Sequence, residues 1–422
     1  MAKKIKAVIL AGGLGTRMKS RTPKVLHPLG DKPMIRHIVD TVRSSGVKDI
    51  LCVVGHGAEQ VEGNLKDVKT VIQRRPLGSG DALGQAKDTL KNFRGDILVL
   101  CGDEPLIRRQ TLERLMRSHT NEDNFCTLLT THMMNPTGYG RILRDDNGEI
   151  INIIEETEAS IYNKAIEEIN VGVYCFKNEG LFSFLKKIRN ENKKGEYFLT
   201  DIIPLLKKKG LKVGSYKTDD PDEAIGVNSR RDLCMAEKIL RRRTADELMY
   251  KGVTITDPDT TYISQDARIG EDTTIFPHTI IEGRVKIGKG CRIGPFARIR
   301  PGCELKDGVE IGNFVELVRT KVGSKAKIKH HTYLGDAIIG KDVNVGAGTI
   351  TANYDGEEKC VTRIEDGAFI GSGTILVAPV KVGRNAKTGA GAVITKNRNV
   401  PAGSVVVGIP ARILKERKGA RK

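Results

Sequence analysis

The stretch ISQDARIGEDTTIFPHTIIEGRVKIGKGCRIGPFARIRPGCELKDGVEIGNFVEL (residues 263–317) decides the fold of the second half of this chain. Ile263, Ile269, Ile275, Ile281, Ile287, Ile293, Ile299, Leu305, Ile311 and Leu317 fall on an unbroken step of six. A helix repeats its apolar face every 3.6 residues and a strand every two, so neither alone gives such a step. A fixed short period means stacked units, each burying its apolar side chain against the next. Six residues suit one short strand and one tight bend. Three such units then make one turn of a parallel β-helix.

The rhythm continues past this stretch through Val322, Ile328, Leu334, Ile339 and Val345. It breaks over TANYDGEEKCV (residues 351–361) and resumes at Ile364, Ile370, Leu376, Val382, Thr388 and Ile394. The break implies a loop pushed out of the coil, either a tolerated insertion or a functional loop on a rigid scaffold. Glycine often follows the aliphatic position, as at Gly270, Gly288, Gly294, Gly312 and Gly323. This reads as a supply of backbone freedom for sharp corners.

The totals bound the rest. At 422 residues the chain has room for two domains, and 39% apolar residues suffice for globular cores. The sequence holds no apolar run long enough to cross a membrane. The N-terminal MAKKIKAVILAGG is too short and glycine-rich for a secretion signal, so a cytoplasmic protein without membrane attachment is expected. Eight scattered cysteines contain no Cys-x-x-Cys pair, which argues against a zinc site or a disulfide framework. The net charge of +18 fits nucleic acid or small polyanions such as nucleotides and sugar phosphates. No nucleic-acid-binding motif occurs and aromatics are only 5%, so nucleic acid is not expected.

The first half alternates short apolar runs with helical stretches. KAVILA, DILCVVG, TVI and DILVLCGD read as strands buried on both faces, with a helix over Met34 to Ser44. This pattern predicts an open, mostly parallel α/β sheet, with ligands bound outside the carboxyl ends of its strands. The loops after KAVILA and DILVLC should therefore line one site. The organisation is an α/β domain over 1–228, a linker helix over 229–251, a β-helix over 252–408 and a basic tail over 409–422, rich in Arg412, Lys415, Arg417, Lys418, Arg421 and Lys422.

The densest motif is LAGGLGTRM (residues 10–18), followed by PKVL (residues 23–26). Gly12, Gly13 and Gly15 let the backbone approach a ligand and offer N–H groups to phosphate oxygens. Arg17 and Lys24 add two cations close by, a combination suited to a triphosphate. The spacing matches neither a Walker A loop nor a dinucleotide fingerprint.

GGLGTRM with PKVLH resembles the sugar-nucleotide pyrophosphorylase signature. With the hexapeptide β-helix, the chain resembles the bifunctional bacterial N-acetylglucosamine-1-phosphate uridylyltransferase/glucosamine-1-phosphate N-acetyltransferase family. The resemblance implies a Rossmann-like nucleotidyltransferase domain followed by a left-handed parallel β-helix, assembled as a homotrimer. It implies that Arg17 and Lys24 contact the phosphates of UTP, with Leu10, Gly12, Gly13, Gly15 and Ser79 around the nucleotide. Gln73 and Gly78 would read uracil, while Asp103 and Asn228 would hold Mg²⁺. Gly140, Glu155 and Asn170 would contact the sugar phosphate. Mg²⁺ prefers oxygen donors and bridges phosphates, and no protein nucleophile is needed for in-line attack on the α-phosphorus.

In the β-helix the resemblance implies that His330 is the general base for the amine of glucosamine-1-phosphate, a task suited to histidine. The free amine would attack acetyl-CoA, with Glu316 stabilising the developing charge. Arg300 and Lys359 would hold the sugar phosphate. Tyr333, Asn344, Asn353 and Tyr354 would contact sugar or CoA, and Ser372 and Ala390 acetyl-CoA. Strand alternation lets only one of His330 and His331 face a site. Two positions depart from the family pattern: Cys101 replaces a common aromatic, and Val318 stands where a lysine is usual, with Arg319 beside it. GIPARILK at the end also resembles other hexapeptide acyltransferases more closely. Two other readings stay open from sequence: a single-activity nucleotidylyltransferase with a structural β-helix, and a non-catalytic regulatory subunit.

Overall fold

The computed structural model describes residues 4–415. Two compact units divide the chain, Met1–Glu237 and Lys238–Lys422.

The first unit is built on one mixed sheet. Its strands are β1 (Ile5–Ala11), β2 (Ile50–Val54), β3 (Lys69–Ile72), β4 (Asp96–Cys101), β5 (Cys126–His132), β6 (Arg141–Arg144), β7 (Ile150–Ile154), β8 (Glu168–Lys177) and β9 (Val213–Lys217). The order is β9–β5–β8–β4–β1–β2–β3, with β6 joining β8 to β7. β1 runs parallel to both β2 and β4, in register Leu10↔Val53 and Leu10↔Cys101. β8 is antiparallel to both β4 and β5, while β9 runs parallel to β5, so β8 is the reversed strand in this order. The apolar run of β1 splits by strand alternation. Ala7, Ile9 and Ala11 join one core, and Val8 joins the other across the sheet. Helix α1 (Met34–Ser44) covers the first of these with Ile35, Ile38, Val39 and Val42.

The helix expected over 229–251 spans Arg230–Tyr250. The second unit then coils in short parallel strands. Ile275 pairs with Ile293, Ile281 with Ile299 and Ile287 with Leu305, each 18 residues apart. The step-of-six side chains form its core, although Ile269 is only partly buried.

A second buried position per unit escaped the periodicity. Two residues before each aliphatic lie Ala267, Thr273, Thr279, Val285, Cys291, Ala297, Cys303, Val309 and Val315, all buried. Small side chains fill the corner of each coil there. Cys291 and Cys303 serve this packing, and all eight cysteines are free thiols.

Of the glycines named after the aliphatic, Gly294 at φ +96° does use its conformational freedom, while the others have a different reason. Gly288 and Gly312 do not adopt a positive φ. A Cβ at Gly312 would lie 1.9 Å from the Lys329 carbonyl oxygen of the next coil. Close stacking of backbones, not conformational freedom, excludes a side chain there. Many left-handed corners are instead held by other residues, among them Asp272, His278, Phe296, Phe314, Arg319 and His331.

The coil length varies where the sequence rhythm falters. Glu316 pairs with Tyr333 at a spacing of 17 residues, and Ile350 with Ile375 at 25. The shortened corners carry Arg319 and Asp336, both with positive φ. The long coil extrudes the 351–361 segment, closed by a Tyr354↔Lys359 bridge. In the segment expected as a basic tail, Arg412–Lys415 forms a strand antiparallel to Val405–Val407. Arg417, Lys418, Arg421 and Lys422 lie outside the described residues. Among the described residues no helix is long and apolar enough to cross a membrane.

The core assignment predicts that Ile293→Ala costs about 2–5 kcal/mol by loss of contacts and cavity formation. Ile280→Ala, at a residue 38% exposed, should cost less than about 1 kcal/mol. Urea denaturation of both variants checks this, and equal losses would contradict the inward step. A pH dependence follows from α1. Burial pulls the His37 imidazole, whose Nε2 lies 2.8 Å from the Leu29 carbonyl oxygen, below the ordinary histidine value. The unfolded chain then binds more protons than the folded one just below about pH 6.5. Stability should fall as pH drops through that value, and His37→Gln should flatten this part of a melting-temperature profile.

Candidate functional site

The loop after β1 and the segment after β4 face one cleft of about 470 Å³. Its walls include Leu10, Gly12, Gly13, Gly15, Arg17, Lys24, Gln73, Gly78, Ser79, Asp103 and Asn228. The structure thus gathers the residues assigned to the nucleotide from four separate parts of the sequence.

Two glycines are shaped by close approach. A Cβ at Gly12 would lie 2.5 Å from Gln73 Oε1, and Gly78, at φ +111°, packs against the backbone of Tyr197. Gln73 is 6% exposed, and its amide nitrogen donates to Asp81 at 2.8 Å and to the Gly78 carbonyl at 3.2 Å. These bonds fix the plane of its amide at the cleft wall. Ser79 Oγ accepts from the Leu199 amide at 3.0 Å, which ties that wall to the 197–200 segment.

Charge is concentrated at the cleft floor. Lys24 Nζ donates to an Asp103 carboxylate oxygen and, at 3.0 Å, to Asn228 Oδ1. Two hard oxygens from distant segments therefore converge on one cation. That donor set fits Mg²⁺, which favours carboxylate and amide oxygens. Arg17 is exposed at the cleft and pairs with no acid among the described residues.

Cys101 and Glu104 flank Asp103. The Cys101 thiol points at the Gly172 carbonyl at 3.7 Å, and burial lifts it well above the usual thiol range. Burial, aided by the Asp103 charge, also pushes the Glu104 carboxyl well above the usual carboxylate range. Glu104 and the cleft residue Glu196 carried no motif and were missed from sequence. Only proximity to GDE in the chain could have flagged Glu104.

Gly140, Glu155 and Asn170 form a second group, in which a Cβ at Gly140 would lie 3.7 Å from both Asn170 Cβ and Glu155 Oε1. The Asn170 amide nitrogen donates to the Gly140 carbonyl at 2.9 Å. Asn170 Nδ2 donates to Tyr174 Oη at 2.7 Å, and Glu155 Oε1 accepts from Thr200 at 2.9 Å. Neighbouring Glu156 instead pairs with the buried Arg141 at 2.7 Å. Adjacent acids thus have different tasks, which their sequence did not distinguish.

In the second unit the registers Arg298↔Glu316 and Glu316↔Tyr333 place Arg300, Glu316 and Tyr333 on successive coils. Arg300 Nη1 reaches Glu316 Oε1 at 3.4 Å. Asn353, 7% exposed, donates to Asp336 at 2.5 Å. A Cβ at Gly335 would lie 2.6 Å from Tyr333 Oη and 2.8 Å from Asn353 Nδ2, so both side chains meet over that glycine. Lys359 attracts the same Asp336 and helps to hold its carboxyl below the usual range, after the larger effect of Arg319. Tyr354 is exposed and donates to the Gly356 carbonyl.

His330 Nδ1 lies 3.2 Å from Asn313 Oδ1, on a coil-to-coil pair. It opens on a cleft of about 450 Å³ walled also by Phe276, Phe296 and Phe314. His278, Phe296 and Phe314 stack along one corner, with centroids 4.7 and 5.3 Å apart. That aromatic column recurs in the sequence at a spacing of 18 residues. Asn344, Ser372 and Ala390 lie farther along the coil. Ser372 and Ala390 stack one above the other, since Gly391 donates to the Ser372 carbonyl at 2.7 Å. No hydrogen bond among the described residues joins these three to His330.

Strand parity does not apply at His331. His331 sits at φ +40°, a left-handed corner that breaks strand alternation, and both histidines are exposed. Arg319 is likewise at a corner, and its guanidinium grips Asp336 with two bonds of 2.6 and 2.7 Å. Val318 is 3% exposed and belongs to the packed interior.

Comparison with known proteins covers both halves. Residues 6–222 match the Nucleotidyl transferase family. Residues 266–301, 285–319 and 362–396 match the bacterial transferase hexapeptide (six repeats) family. The chain is 43% identical to the Bifunctional protein GlmU of Shouchella clausii, over 92% of this chain and 93% of that protein. It is 42% identical to the Bifunctional protein GlmU of Halalkalibacterium halodurans, over 99% and 98% respectively. For the protein of the same name from Bacillus subtilis the identity is 41%, over 97% of each. Together with the parallel ladders, the repeats make the second unit a left-handed parallel β-helix, following a Rossmann-like nucleotidyltransferase fold.

Proposed function

The chain belongs to the family of bifunctional GlmU proteins, and from that premise we propose how its two sites make UDP-N-acetylglucosamine. The β-helix transfers acetyl from acetyl-CoA to glucosamine-1-phosphate. The α/β unit then transfers uridylyl from UTP to the product, releasing pyrophosphate. The observation that best supports the second reaction is the convergence of Lys24, Asp103 and Asn228 at the glycine cleft.

In this reading the backbone N–H groups of Gly12, Gly13 and Gly15 and the Arg17 and Lys24 cations hold the triphosphate. Gln73 and Gly78 line the uracil, with Leu10 and Ser79 beside them. Gly140, Glu155 and Asn170 orient the sugar so that its phosphate oxygen lies in line with the α-phosphorus. That oxygen attacks as the bond to pyrophosphate breaks, and positioning with charge neutralisation supplies the rate. Asp103 and Asn228 would hold Mg²⁺, which neutralises phosphate charge when bound.

For acetyl transfer, His330 takes the proton from the substrate ammonium, the freed amine attacks the thioester carbonyl, and the C–S bond breaks to release CoA, whose thiolate takes up the proton the amine sheds. Asn313 orients the imidazole through the bond to Nδ1, leaving Nε2 for the amine. Buried Val318 offers no charge and Asp336 holds Arg319, so Arg300 and Lys359 carry the sugar phosphate. Glu316, Tyr333, Asn353 and Tyr354 line the sugar, while Asn344, Ser372 and Ala390 take the CoA side. The reading includes a homotrimer in the cytoplasm, with small phosphorylated substrates as the only partners.

The two half-reactions should separate by mutation. Lys24→Ala should slow pyrophosphate release from UTP and N-acetylglucosamine-1-phosphate about 10²–10³-fold, as for loss of one preorganised charge, and leave acetyl transfer intact. Unchanged turnover would refute the loop assignment. His330→Ala should slow release of CoA thiol about 10²–10⁴-fold while uridylyl transfer persists. Undiminished thiol release would remove His330 as the base.

A further inference from the structure

The acid beside Asp103 stands apart. Glu104 Oε2 is shut off from solvent and accepts no hydrogen bond among the described residues. A carboxylate oxygen buried in this way is costly unless something positive or protic faces it. The backbone is nevertheless shaped to receive it. Gly172, at φ +88° in the irregular part of β8, has no side chain where a Cβ would lie 2.6 Å from Glu104 Oε1. Gly226 lies between Glu104 and the amide of Asn228. A Cβ there would be 3.9 Å from Glu104 Cγ and 3.6 Å from Asn228 Nδ2.

The carboxylate also lies at the right distance from its neighbour. Ligand atoms of Cys101, Asp103 and Glu104 all fall within 4.8 Å of one another. Two oxygens bound to one divalent ion at about 2.1–2.4 Å are separated by no more than about twice that length. Asp103 already converges with Asn228 on a cation in this structure, the ammonium of Lys24. The Cys101 thiol turns to the Gly172 carbonyl, and a hard ion takes oxygen in preference to sulfur.

We propose that Glu104 is a third protein ligand of the divalent cation held by Asp103 and Asn228, through its carboxylate. The inference rests on the reading that Asp103 and Asn228 hold that cation. A third oxygen from the chain completes more of the coordination sphere before nucleotide arrives. The bare protein then binds the ion more tightly than a two-ligand site does.

The test is Mn²⁺ binding to the full-length protein without nucleotide, followed by the electron paramagnetic resonance signal of the free ion. Glu104→Gln should weaken Mn²⁺ binding about tenfold, the scale found when a group supporting a metal site is lost. Asp103→Asn should weaken it at least as much. Thermal melting establishes that each variant is folded, and Glu104→Thr replaces Glu104→Gln if the latter is not. Wild-type affinity in a folded Glu104 variant, with affinity lost in Asp103→Asn, overturns the role of Glu104 and keeps the metal site. Wild-type affinity in Asp103→Asn, or no binding by the wild type, overturns the metal reading itself.

Discussion

The parallel register of β1 against β4 is the constraint on which the glycine-lined cleft depends. Leu10 lies opposite Cys101, so both chains leave the sheet at the same edge. One continues into the glycine turn and the other into Gly102–Asp103. Burial on both faces fixes that register, because a slip by one residue would exchange Val8 with its neighbours between the two cores. The cost of a slip falls on the hydrophobic core, so the polar groups need little of their own energy to stay in place. Lys24 can then join Asp103, 79 residues away in the chain, and Asn228, 204 residues away.

The β-helix was legible because its core residue recurs without interruption from Ile263 to Leu317. What periodicity concealed was chemical variety at the second inward position. Thr273, Cys291, Ala297 and Val309 share one environment, and only their small volume unites them. A hydropathy reading sees four unrelated residues there. The glycines misled for a related reason. Their position was plain, but the contact that excludes a side chain belongs to the next coil, as Lys329 does for Gly312. A stacking constraint between residues 17 or 18 apart leaves no local trace.

Within the candidate sites, contiguous motifs were easier to read than convergent ones. The glycine turn and its two cations lie within fifteen residues of sequence, and backbone chemistry alone suggests phosphate. Asn228, Gly140, Glu155 and Asn170 have no such local logic and came from resemblance. Glu155 and Glu156 show why. Only the fold gives Glu156 to the buried guanidinium of Arg141 and leaves Glu155 beside Thr200. The strand-parity argument at the two histidines lost its basis because alternation holds only while φ stays extended, and His331 turns a corner.

The shortened coils connect these points. Removing one residue at the Arg319 and Asp336 corners brings two left-handed positions onto successive turns, and the ion pair between them staples the coils. Asp336 then accepts from Asn353, whose backbone carbonyl receives the Cys360 amide at the neck of the extruded loop. Arg319 is thus committed to holding Asp336, and through it the base of the loop that carries Tyr354 and Lys359. A buried aliphatic at position 318 fits this arrangement, since the neighbouring guanidinium already anchors the corner and the valine closes the core beneath it. The departure at Val318 is therefore compatible with a working acetyl-transfer site, provided that Arg300 and Lys359 supply the cations that meet the phosphate.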